Sequence, residues 1–70
     1  MINDHIVSDI HICGGEPTII GTRIPVRIVL NHLAAGEDAP AILKEFPRLS
    51  EAAIRACLEY ASFLASERVA

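Results

Sequence analysis

Two rhythms of apolar residues run along this chain, one close to two residues and one of about 3.6. Over residues 5–13, Ile6, Ile10 and Ile12 alternate loosely with His5, Asp9 and His11, which predicts a short, half-exposed strand. Further on, Thr18-Ile19-Ile20 and Arg23-Ile24-Pro25-Val26 flank Gly21-Thr22 as two β-branched runs. That is the pattern of a two-residue hairpin turn of type II′, with Gly21 supplying the positive φ. Pro25 has no N–H to give a ladder, so the second arm is short or lies at an edge. The same proline suits the first turn of a helix.

From Val26 the rhythm changes. Val26, Val29, Leu30 and Leu33 recur at the spacing of one helical face, and Gly36 stands where a left-handed C-terminal cap belongs, so a first helix is predicted over 25–35. Ile28 and His32 fall on a neighbouring stripe and widen its apolar face. Asp38 is an N-cap for a second helix over 39–46, with Pro40 early in it, Ala39, Ile42, Leu43 and Phe46 on its buried side, and Pro47 as its stop. Ser50 caps a third helix, with Glu51 favourably placed against the helix dipole. Ile54, Cys57, Leu58, Ala61, Leu64 and Ala65 form one stripe as far as Ser66, although Ala53 leaves the capping box incomplete.

The fold these elements predict is mainly α with a small β-hairpin, an α+β class. Short N-terminal strands and a hairpin over residues 5–25 precede a three-helix bundle over 25–66, its last two helices joined by Pro47-Arg48-Leu49-Ser50 in helix-turn-helix order. Seventy residues make one small domain, because a core of this size supplies only a few kcal/mol. The composition is 51% hydrophobic but only 4% aromatic, so most of the apolar surface is aliphatic and self-association is expected. A two-stranded hairpin is marginal alone and offers an edge to another chain; Ile19, Ile20, Ile24 and Ile28, with Arg23 beside them, are the candidate partner or homodimer interface.

No run approaches the roughly 18 apolar residues that span a bilayer, and acidic and histidine side chains occupy the first twenty positions. A cytoplasmic protein without membrane attachment is expected. Cys13 and Cys57 lie far apart with no Cys-x-x-Cys, and they read as free thiols in a reducing compartment. Six basic residues stand against nine acidic ones, a net charge of −3, so any phosphate binding must come from cations gathered on one face.

The glycines do not make a phosphate cradle: Gly15 and Gly21 are separated by five residues without the following Lys-Ser/Thr, and no Gly-x-Gly-x-x-Gly occurs. A strand would place His11 and Cys13 on one face near His5, but the spacing matches no zinc pattern and a fourth ligand is missing, so neither metal nor cofactor is expected. Cys57 sits in the third helix's stripe as a small hydrophobe. No nucleophile, base and acid group together, and an enzyme is not expected. Lys44, Arg48, Ser50 and Arg55 lie at the end of the second helix, in the turn and along the third helix. There they read either as solvated surface residues or as contacts of a helix-turn-helix with DNA.

Cys13-Gly14-Gly15-Glu16-Pro17, Gly21-Thr22-Arg23-Ile24-Pro25-Val26 and the piece from Ile42 to Leu49 together resemble a bacterial and archaeal family, domain of unknown function number 433. The resemblance runs over residues 5–62 and implies a homeodomain-like helix-turn-helix fold. For many members it also implies a role similar to that of VapB-type antitoxins, which pair with a PIN-like nuclease toxin and bind their own operator DNA. On that resemblance Gly14, Gly15, Pro17, Gly21, Thr22, Arg23 and Pro25 match the family hairpin. Asp38 stands where members place Ser or Thr, and Pro40, Ala41 and Ala53 replace residues that are usually acidic. An arginine set against the toxin's metal-binding carboxylates, Arg23 or Arg68, would be the inhibitory contact. The other reading is a protein-interaction module with no nucleic-acid role.

Overall fold

The computed structural model describes residues 3–66. Arg68, and with it the tail from Glu67 to Ala70, lies outside the described residues. Two short strands, β1 (Ile6–Val7) and β2 (Thr18–Ile19), precede three helices, α1 (Val26–Ala34), α2 (Ala39–Glu45) and α3 (Glu51–Ser66). The molecule is thus the small, mostly helical α+β fold that the two rhythms predict. No described helix is long and apolar enough to cross a membrane.

The strand expected over 5–13 is only β1. Its continuation is diverted because the Asp9 carboxylate accepts the His11 N–H at 2.9 Å and the Asp9 carbonyl accepts the Ile12 N–H at 2.8 Å, which folds the chain into a turn. Cys13, Gly14 and Gly15 then follow at φ 50°, 66° and 90°, a left-handed turn that returns the chain as β2, antiparallel to β1. Ile6 pairs with Ile19 and Val7 with Thr18.

The hairpin around Gly21 also differs in kind. The Thr22 N–H bonds the Ile19 carbonyl at 3.0 Å with Gly21 third of the four residues at φ 81°, the geometry of a type II turn rather than type II′. The second arm is one bridge, Thr18 to Pro25, bracketed by Ile19 N–H to Ile24 O (3.0 Å) and Val26 N–H to Pro17 O (2.9 Å). Pro25 cannot extend that ladder, and α1 begins at the next residue.

The helices start and stop where their caps dictate. Asp38 accepts the Ala41 N–H at 3.1 Å to open α2, and Ser50 accepts the Ala53 N–H at 3.1 Å to open α3. At the end of α1, Gly36 turns left-handed (φ 93°); its N–H bonds Leu33 O at 3.0 Å while the Glu37 N–H bonds His32 O at 3.1 Å, a Schellman closure.

Every element feeds one core: Ile6 and Ile19 from the strands, Val26 and Val29 from α1, Ile42 from α2, Leu49 from the turn, and Ala53, Ile54, Ala56 and Cys57 from α3. Leu30, Leu33, Leu43, Phe46 and Tyr60 pack around it, half-buried. The stripe predicted along α3 is therefore buried only in its first half. The buried face of α3 is centred on Ala53, Ile54, Ala56, Cys57 and the half-buried Tyr60, so Leu58 at its flank and Leu64 farther along remain 48% and 43% exposed.

Candidate nucleic-acid interface

Pro47 breaks α2, and the chain crosses to α3 through Pro47-Arg48-Leu49-Ser50, with Leu49 buried as the anchor and its N–H bonded to Phe46 O at 3.0 Å. Arg48 is thereby turned outward. Its Nη2 donates to the Gly21 carbonyl at 3.2 Å, which ties the interhelical turn to the type II turn across the sequence. Arg23 and Arg48 line one open cleft with Ile12, Gly21 and Thr22. Lys44 is exposed in the last turn of α2.

Two arginines have carboxylate partners. Arg27 pairs with Glu16, and the Arg55 Nη2 lies 3.9 Å from Glu51 Oε1 one turn earlier, both groups exposed, so that pair is weak. Among the described residues, Arg23, Lys44 and Arg48 form no ion pair. Arg23 and Arg48 share one cleft, and Lys44 precedes Arg48 at the end of α2, so these cations of an acidic protein fall beside its turns.

The residues expected to contact DNA thus divide by role. Lys44 and Arg48 are exposed and without carboxylate partners, Arg55 is shared with Glu51, and Ser50 spends its hydroxyl on the Ala53 N–H as a cap. The expected partner interface divides as well. Ile19 is only 4% exposed and pairs with Ile6 inside the chain's own core, so its burial needs no second molecule. Ile24 and Ile28 are half-buried, whereas Ile20, at 44% exposure, and Arg23 face outward. Sequence patterning missed larger exposed apolar groups, Ile10 and Phe63, which are 72% and 60% exposed.

The expected face shared by His11 and Cys13 does not form, because neither is on a strand. Cys13 is exposed and its thiol lies 3.5 Å from Arg23 O. Cys57 is fully buried, and the cost of placing a thiolate there pushes its pKa up to about 11. Both cysteines are free, as their spacing predicts.

Comparison with known families supplies one match. The model of the family described as "Protein of unknown function (DUF433)" matches residues 6–61. The chain belongs to this family. The DUF433 match opens at the first residue of β1 and closes inside α3, so it takes in the type II turn, Arg23 just after it and the interhelical turn with Arg48. Neither curated proteins nor solved structures give a match.

Proposed function

We infer that the protein is an antitoxin-like DNA-binding member of DUF433. On this reading it binds a PIN-like nuclease toxin and, as a homodimer in the cytoplasm, its own operator. The observation that carries the reading concerns the cations beside the turns: Arg23, Lys44 and Arg48 are exposed, unpaired among the described residues, and set around a helix-turn-helix connection, where such folds meet phosphates. Phosphate neutralisation by a few cations suffices to position a small domain on a duplex, and α3 is then the element offered to the groove. Both proposed roles need only binding, so binding rather than catalysis is the proposed mode of action. The test is a gel shift with the DNA upstream of the protein's own gene at low and moderate salt. Binding that weakens with salt and with Arg48→Ala supports the reading; a complete lack of binding overturns it.

A second reading rests on a different observation. Leu58, Phe63 and Leu64 leave the outer half of α3 apolar and uncovered, which suits a module that acts by protein contact alone. Copurification with the product of the adjacent gene, without any shift of promoter DNA, would favour it.

A further inference from the structure

His32 lies in the last turn of α1, on the stripe beside the core face. The Schellman closure at Gly36 returns the chain so that Glu37 stands over the His32 side chain, and Glu45, the last residue of α2, arrives from the other side. His32 Nδ1 is 3.0 Å from Glu37 Oε2 and 3.5 Å from Glu45 Oε2, and the three donor atoms lie within 4.8 Å of one another. The Phe46 ring meets the imidazole edge-on, with centroids 5.4 Å apart, and restrains its orientation. His32 and Glu37 are half-buried.

Three separate stretches of chain therefore bring one nitrogen and two carboxylate oxygens into one cluster. In either charge state of the ring Nδ1 carries at most one proton, so its hydrogen bond serves one carboxylate fully while two carboxylates converge on it. Among the described residues no Lys or Arg lies within ion-pair distance of either one. A divalent cation would resolve that convergence. Metal–ligand bonds of about 2.0–2.2 Å hold adjacent donor atoms roughly 3–4 Å apart, which matches both observed separations. An imidazole nitrogen with two carboxylates suits a first-row ion of the Zn²⁺ type better than Ca²⁺ or Mg²⁺, which prefer an all-oxygen shell.

We propose that His32, Glu37 and Glu45 form a divalent transition-metal site, with His32 binding through deprotonated Nδ1 and water completing the coordination. This site is independent of the cations beside the turns. It staples the end of α1, the interhelical loop and the end of α2, so an occupied site stiffens the segment that presents the Arg48 turn.

The experiment uses the full chain without a histidine tag, titrated with ZnCl₂ by calorimetry and with Co²⁺ by visible absorption. One equivalent of Zn²⁺ is expected to bind, to raise the unfolding midpoint relative to EDTA-treated protein, and to bind more weakly on acidification as protons compete for Nδ1. His32→Gln and Glu45→Gln are each expected to reduce the affinity by about tenfold or more, whereas His11→Gln and Cys13→Ser leave it unchanged. Far-UV circular dichroism checks each fold; Glu45, with a side chain 56% exposed, is readable even where His32→Gln unfolds. Absence of binding overturns the site, as does binding that survives Glu45→Gln or disappears with His11→Gln or Cys13→Ser.

Discussion

The two cysteines show how one residue type takes opposite characters from its surroundings. Cys13 sits exposed in a left-handed turn, whereas Cys57 is sealed among Ile6, Val29 and Ile54 of the core cluster and its pKa is pushed up to about 11. In native protein near neutral pH, a thiol reagent such as dithiobisnitrobenzoate is expected to modify Cys13 promptly and Cys57 only after unfolding. The same burial couples to stability. Since the folded-state value lies above the unfolded value of 9.0, the contribution is fully present below pH 9 and is lost as the pH rises towards 11. Unfolding midpoints measured across that window are expected to decline less steeply in Cys57→Ala than in the parent. Parallel declines in the two proteins would show that burial does not hold this proton.

At the scale of elements, the caps govern where helices begin and end, and they were the most legible part of the chain. Asp38, Ser50 and Gly36 are local signals: each acts on backbone groups within a few residues, so spacing alone reveals it. Gly36→Ala is expected to cost about 1 kcal/mol, and the cause is backbone conformation alone, because a Cβ built there meets nothing within 4 Å. Ser50→Ala is expected to cost about 1 kcal/mol, with the α3 N-terminus losing its side-chain acceptor. Denaturant midpoints measure both. The strand was less legible, since Ile10 and Ile12 continue the alternation that β1 begins; the Asp9 side chain overrides it by taking the His11 N–H. The apolar stripe of α3 misled in another way, because periodicity places a face only approximately: the core takes Ala53, Ala56 and Tyr60 and leaves Leu58 at its flank.

For the whole molecule, the candidate interface was half legible. Lys44 and Arg48 could be read as exposed cations near a turn, but the bond from Arg48 to Gly21 joins positions 27 apart, and nothing in local spacing announces it. On the proposed DNA-binding reading, Lys44→Ala and Arg48→Ala are each expected to weaken binding similarly on all sequences and to flatten its salt dependence by about one unit of slope. Arg55→Ala is expected to do less, since Glu51 already shares that charge. Arg48→Lys separates charge from the tether, because a lysine keeps the first without the guanidinium geometry. If self-association uses the exposed Ile20 edge, Ile20→Asp is expected to shift the solution mass from dimer to monomer by light scattering. The uncovered half of α3 has a consequence for time as well as for contact. A rod of 16 residues, about 24 Å long, is clamped at one end only, so its amide hydrogens will trade with deuterated solvent in a gradient, slowest around Ile54 and quickest near Ser66. A molecule that seats on Phe63 and Leu64 will erase that gradient, and the slowing of those few amides will report its arrival.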